Sequence, residues 1–239
     1  MKNEQNYNKI TDLYDIMYTK KTGFNHKLQV KWVDNWRKKF TSKKIVVDLG
    51  CGTGTHLGYF KKLGYSCMGI DLERAMLDIA ERQNKQISFR EGNFKNFKLE
   101  EKSPLITMFF NSMGYNTTNS EMFNSLKNIK NNLSKDGLFI FDMFTGKSKN
   151  VFIVKTFTGK GINFSKTYIG GPTNKGFESK TYYVVSHKNG VKIIQRSSLR
   201  GMFSKSRMNS ILKKVGLKVL YLGEGYSKGS TTFVTQKED

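Results

Sequence analysis

The stretch Ile45-Val46-Val47-Asp48-Leu49-Gly50-Cys51-Gly52-Thr53-Gly54 constrains this chain more than any other. An apolar run rich in β-branched residues reads as a buried strand, and three alternating glycines read as a tight loop at its end. Lacking Cβ atoms, the glycines let the loop take positive φ and let a small ligand come against the main chain. A second strand signal, Ser66-Cys67-Met68-Gly69-Ile70, ends at Asp71. Asp71 lies about 20 residues beyond Gly50, the separation at which a βαβ unit sets a carboxylate on a ribose diol. Alternating glycines alone also occur in ordinary strand-to-helix turns. Strand, acid, glycines, a helix expected at 55 to 63 and a correctly spaced acid together point to a ligand that carries a nucleoside.

The third glycine narrows the ligand. Dinucleotide sites use G-x-G-x-x-G, with a pyrophosphate received at the helix N-terminus. Here the third glycine is Gly54 and Thr55 follows it. Asp48, beside the loop, repels phosphate and attracts an ammonium group. S-adenosylmethionine (SAM) has an ammonium, a ribose and no phosphate, and it fits where NAD does not.

The 239 residues suffice for one well-cored α/β domain with an elaboration. No apolar stretch approaches the roughly 18 residues of a spanning helix, and Met1 to Asn6 contains no apolar signal core. A cytoplasmic protein without membrane partners is expected. Cys51 and Cys67 fall at predicted core positions, with neither metal nor disulfide spacing. A net charge of +22 raises the possibility of nucleic-acid binding. Most of the 41 basic residues are Lys, however, and the longest basic run is Arg37-Lys38-Lys39. Lys is the poorer fork for phosphates. A composition that fills the surface with Lys and Asn accounts for the charge, and attraction of an anionic substrate is the functional alternative.

Residues 1–40 read as helices ahead of the first strand, with Trp32, Val33, Trp36 and Phe40 at helical spacing. Tyr7, Tyr14 and Tyr18 precede them in a segment suited to folding over a pocket as a lid. Beyond Asp71, the spacing predicts a helix over 72–84, strands at 87–90 and 105–110, and a helix over 119–133. Ser134-Lys135-Asp136-Gly137 is expected to turn the chain into a fifth strand, 138–144. This repeated β-then-α order predicts a mostly parallel sheet with helices on both faces. From 147 to 203 the pattern becomes alternating strands, 151–157, 162–168, 177–186 and 191–198, with a hairpin signal at Asn189-Gly190. An inserted antiparallel sheet covering the substrate is expected. A helix over 204–215, stopped by Gly216, and strands at 217–222 and 231–235 complete the core. The expected units are therefore a lid, 1–40, a SAM-binding core, 41–146, a cover sheet, 147–203, and a completing segment, 204–239.

Leu13-Tyr14-Asp15, Asp48 through Leu57, Ala75-Met76-Leu77 and Phe110 to Gly114 resemble class I SAM-dependent methyltransferases. More narrowly, they are similar to the N,N-dimethyltransferases of nucleotide-linked amino sugars. The resemblance implies a Rossmann-like, seven-stranded fold. It also implies that Gly50, Gly52 and Gly54 line the methionine part of SAM, with Asp48 near its amino group. Asp71 is implied at the ribose, Met76 at the adenine, and Tyr14 and Tyr18 in the lid. Asn93 stands where that family usually has Asp; its amide oxygen still accepts a hydrogen bond. Leu72, Phe94 and Asn111 complete the implied cofactor set. After Gly114 those enzymes have His, whereas this chain has Tyr115. Tyr115, together with Tyr7 and Tyr14, is the candidate for handling the acceptor.

In-line methyl transfer needs positioning more than a nucleophile or a metal, and none of the latter is expected. His26, His56 and His187 read as structural. The expected activity is N-methylation of a nucleotide-linked amino sugar by a monomer or homodimer. A sugar O-methyltransferase, an amino-acid N-methyltransferase and a non-catalytic SAM-binding regulator are the alternatives. A nucleic-acid methyltransferase is disfavoured, because Asn111-Ser112-Met113-Gly114 occupies the place where adenine amino methyltransferases commonly carry a Pro-Pro pair.

Overall fold

The structure, a computed structural model, describes residues 7–18, 23–146, 149–187, 190–224 and 229–238. Five strands lie parallel: β1 (Ile45–Leu49), β2 (Ser66–Asp71), β3 (Ser88–Glu91), β4 (Ser103–Met108) and β5 (Leu133–Phe144). Two antiparallel strands, β10 (Leu217–Glu224) and β11 (Ser230–Lys237), close one edge, giving the order β3-β2-β1-β4-β5-β11-β10. A separate antiparallel sheet runs in sequence order through β6 (Val151–Gly159), β7 (Ile162–Thr173), β8 (Gly176–His187) and β9 (Gly190–Arg200).

The large sheet is apolar on both faces because successive residues alternate sides. Val47, Leu49, Phe139 and Phe141 face α5 (Asn119–Asn132) and α6 (Lys205–Val215), which contribute Met122, Leu126, Met208 and Leu212. Val46, Leu138 and Ile140 face α2 (His26–Arg37), α3 (Thr55–Lys62) and α4 (Arg74–Gln83), which contribute Val30, Val33, Leu57, Phe60 and Leu77. Both cysteines lie on this second side, buried and free. The helix ends follow local chemistry. Thr118 and Ser204 cap α5 and α6 by accepting N–H bonds from Glu121 and Arg207, each at 3.1 Å, and Gly216 ends α6 at φ 78°.

Several boundaries depart from expectation; β7 runs on to Thr173, five residues past the expected end, and two other shifts have a clear physical reason. The fifth strand begins at Leu133, which pairs with Ser103, and the predicted turn Ser134–Gly137 becomes an irregularity within the strand, with Asp136 at φ 57°. The α5 helix thus runs straight into the sheet, and the turn-forming residues serve a bulge. The fourth strand occupies 103–108 and not 105–110, because Phe109 and Phe110 leave it to shape the site.

A short helix, α1 (Thr11–Met17), packs Leu13, Ile16 and Met17, together with the preceding Ile10, against Phe164, Tyr183, Val185 and Ile194 of the antiparallel sheet. These four sheet residues share one face by register, here the inner face. Through Tyr14 and Asp15, α1 overlies the glycine loop, whereas α2 belongs to the helical layer of the core. Among the described residues, no helix is long and apolar enough to cross a membrane.

Candidate functional site

The glycine loop has the strained backbone its sequence predicts. Gly50, Gly52 and Gly54 sit at φ 66°, 53° and 74°. A Cβ on Gly50 would meet the Ser112 Oγ at 3.0 Å, and one on Gly54 would meet Phe89 Cζ at 2.9 Å. The loop is tied to β2: Gly50 N–H donates to the Ile70 carbonyl at 2.7 Å, and Gly52 N–H to Asp71 Oδ2, also at 2.7 Å. Asp71 Oδ1 accepts from Glu73 N–H at 3.0 Å. Asp71 therefore clamps the loop, and its remaining lone pairs are available to hydroxyl donors.

Asp48 and Thr107 are direct partners across β1 and β4, and the Thr107 hydroxyl donates to Asp48 Oδ1 at 2.7 Å. Asp48 is 2% exposed and lines the cavity beside the loop. Burial pushes its carboxyl up to about 7, with the Thr107 bond opposing the rise and the charge of Asp71 adding to it. A buried carboxylate held near neutrality at a cavity wall is set to ionise when a cation arrives.

A second buried acid, Asp142, shapes the cavity wall at Phe110. Phe110 and Asn111 both adopt left-handed backbone, at φ 57° and 59°, which is costly for residues with side chains. Asp142 holds them there by accepting the N–H groups of both, Asn111 at 2.9 Å. Burial raises the Asp142 carboxyl to about 6, and these two bonds oppose the rise. The Asn111 side chain in turn accepts from Phe144 N–H at 3.1 Å. Asn111 thus braces the loop, and it is Phe110 that lines the cavity.

The cover over the loop is pinned by polar bonds. Asp15 accepts from the Thr53 hydroxyl at 2.6 Å and from Gln83 at 3.0 Å. The Tyr14 ring lies against Gly52, and Tyr18 packs on Tyr14, Phe24 and Phe110. Beneath them His26 Nδ1 meets His56 Nε2 at 3.2 Å; His26 Nε2 donates to the Tyr18 carbonyl at 2.9 Å, and His56 Nε2 bonds Gln29 at 2.8 Å. Burial holds both imidazoles below the usual histidine range. The neutral pair joins α2 to α3, and the His26 bond to the Tyr18 carbonyl ties the cover to this core contact, between distant residues whose sequence positions gave no sign of it.

Tyr14, Tyr18, Asp48 and Gly50 line the cavity, joined by Asp15, His26, Cys51, Thr53, Thr55, His56, Phe109 and Phe110, which were not singled out as ligand contacts. Gly52, Gly54 and Asp71 shape the loop from behind. Met76 is buried on α4, Leu72 is exposed, and Asn93 accepts from Lys95 N–H at 3.0 Å in a local turn. Phe94 packs against the core on the α5 side. Tyr115 closes the short 3-10 turn Ser112–Tyr115 and is half-buried. The side chains of Tyr7 and His187 lie outside the described residues. Asp142 had a readable signal, an acid at an inward position of the apolar run Phe139 to Met143. Among the described residues, no cluster of His, Cys, Asp or Glu is placed to hold a metal.

Residues 46–137 match the family described as "Methyltransferase domain". The chain is 23% identical over 203 residues to the dTDP-4-amino-2,3,4,6-tetradeoxy-D-glucose N,N-dimethyltransferase of Saccharopolyspora spinosa, covering 83% of this chain and 80% of that one. It is 23% identical over 235 residues to the dTDP-3-amino-3,4,6-trideoxy-alpha-D-glucopyranose N,N-dimethyltransferase of Streptomyces venezuelae, covering 93% and 95%. The crystal structure of Streptomyces venezuelae DesVI superposes with a TM-score of 0.86 at 21% identity, over 95% of this chain and 98% of that one. The chain therefore has the class I methyltransferase fold, and the stretch that matches the methyltransferase domain, residues 46–137, runs from β1 through the glycine loop into β5.

Proposed function

We propose that the protein is a SAM-dependent methyltransferase acting on the amino group of a nucleotide-linked sugar. The observation that carries the cofactor is the buried Asp48 carboxylate beside a cradle of positive-φ glycines. A Cβ on Gly50 would press on Ser112 and one on Gly54 on Phe89 behind the loop, so the loop keeps its shape through glycine, and the acid rejects phosphate while welcoming an ammonium. The acceptor class is supported by two relatives, matched over most of their length, whose names specify N,N-dimethylation of dTDP-amino sugars.

Bound SAM supplies an electrophilic methyl group. In this reading Asp48 binds its ammonium, Gly50, Gly52 and Gly54 take the methionine part, and Asp71 takes the ribose. Met76, Leu72, Asn93 and Phe94 border the adenine, with Asn111 holding the loop. Tyr14 and Tyr18 exclude water from above, which favours displacement over side reactions. Tyr115, beside the turn at the carboxyl end of β4, accepts a hydrogen bond from the acceptor amine and orients its lone pair; Tyr7 and Tyr14 flank the acceptor. A phenol is a poor base at neutral pH, so its task is alignment.

The test is incubation with SAM and dTDP-linked amino sugars, followed by mass analysis for one or two added methyl groups. Transfer solely to hydroxyl sugars or to free amino acids overturns the acceptor. Tyr115→Phe is expected to lower turnover by about tenfold, the worth of one oriented hydrogen bond, with SAM affinity unchanged. Full turnover in that variant assigns Tyr115 to packing.

A further inference from the structure

Arg200, at the last position of β9, stacks its guanidinium on the Tyr115 ring, with Cζ 3.1 Å from the ring centroid. Its Nη1 is buried and has no hydrogen-bond partner among the described residues. A buried guanidinium nitrogen left without an acceptor is costly, and native structures seldom keep one without a use. The stack is built into the backbone. Gly201 N–H donates to the Gly114 carbonyl at 2.8 Å, and a Cβ on Gly201 would collide with the Asn116 carbonyl oxygen. No residue with a side chain fits there, so the end of β9 is pressed against the turn that carries Tyr115.

The surroundings indicate what the N–H groups await. By register, Arg200 shares the inner face of the antiparallel sheet with Lys155, Lys166, Lys192 and Arg196, and no described position of that face holds Asp or Glu. Arg196 donates to the Tyr183 hydroxyl, so part of this cationic wall is already committed to the sheet. Arg200 is the member placed against the Tyr115 turn. An acceptor oxygen meeting this guanidinium, on a sheet face whose described positions hold cations and no acid, is favoured when it is anionic, and a planar guanidinium suits phosphate.

We propose that Arg200 is the residue that recognises the phosphate of the acceptor, using the ring of Tyr115 as its platform. The phosphate is thereby fixed beside the group that orients the amine, and acceptor length between phosphate and amine becomes a specificity ruler. This rests on the reading of the acceptor as a nucleotide-linked amine.

The test is calorimetric titration of the SAH-loaded protein with thymidine diphosphate, inorganic pyrophosphate and thymidine, for wild type and Arg200→Met. Arg200→Met is expected to lose about tenfold to hundredfold in affinity for thymidine diphosphate and pyrophosphate, the range for a charged hydrogen bond. SAH and thymidine affinities should stay unchanged, and the salt dependence of diphosphate binding should become shallower. Equal diphosphate affinity in the two proteins overturns the proposal. Should Arg200→Met fail to bind SAH, Arg200→Lys decides the matter: it keeps the charge but not the fork, and wild-type diphosphate affinity in it overturns the proposal equally. Pyrophosphate binding that depends on Arg200, in a protein that methylates no amino sugar, upholds the anion site while removing the acceptor assignment.

Discussion

Asp48→Asn is expected to weaken SAM binding by about tenfold to hundredfold, the loss of a charge-assisted bond to a buried ammonium. In the free protein the Asp48 carboxyl is pushed up to about 7 by burial. An adjacent ammonium favours ionisation, so binding expels a proton from whatever fraction is protonated. SAM affinity of the wild type should therefore fall by about tenfold per pH unit below pH 7, and that slope should vanish in Asp48→Asn. Stability moves the other way. A folded-state value above the unfolded one means the native protein binds the extra proton, so the free protein gains stability as pH falls through 7 toward the ordinary carboxylate range. Above pH 7 the ionised acid is a burden, and Asp48→Asn should melt at a higher temperature than wild type while binding SAM less well. His26 and His56 oppose this trend: their lowered values mean stability is lost as pH falls below about 6.5, where the unfolded imidazoles charge. Isothermal titration at pH 6, 7 and 8 checks the slope, with methylthioadenosine, which lacks the amino-acid part, as the indifferent control. A variant that keeps full SAM affinity at pH 8 removes Asp48 from the ammonium site.

Asp142→Ala is expected to cost about 3 to 5 kcal/mol of stability, read by urea denaturation. Two backbone N–H groups lose their acceptor in a buried place, and two residues in left-handed backbone lose what holds them. Asp142→Asn should fall between the two, because an amide has one accepting oxygen and its NH₂ faces a donor. SAM affinity should drop along with stability, since Phe110 lines the cavity. A loss below about 1 kcal/mol, the size of an ordinary surface effect, would mean that the loop holds its shape without the acid.

Much of the frame follows from local pattern. The strand before the glycines, the spacing to Asp71 and the alternation in 151–198 each arise within a short window, and each corresponds to an observed element. What local pattern hides is who meets whom. Asp136-Gly137 carries turn chemistry, but the pairing of Leu133 with Ser103 turns it into a bulge. Residues 1–40 read as the helices of one lid, yet Val30 and Val33 of α2 pack on the parallel sheet, whereas Leu13 and Ile16 of α1 pack on the antiparallel one. The His26–His56 pair, the Asp15–Thr53 bond and the Arg200–Tyr115 stack join residues from distant windows, and no periodicity announces them. Asp142 is the exception, an acid whose strand position alone marks it as buried and therefore engaged.

The seam between α1 and the antiparallel sheet bears on any attempt to make chimeras of this enzyme fold. Ile10, Leu13, Ile16 and Met17 form one small core with Phe164, Tyr183, Val185 and Ile194, although more than a hundred residues of chain separate the two groups. Transplanting residues 149–200 from another enzyme would leave the resident α1 facing a foreign apolar surface, with the overpacking or voids such mismatches bring. The transferable cassette is discontinuous, the N-terminal helix together with the inserted sheet, and a graft that carries both halves should keep the cover seated over the glycine loop.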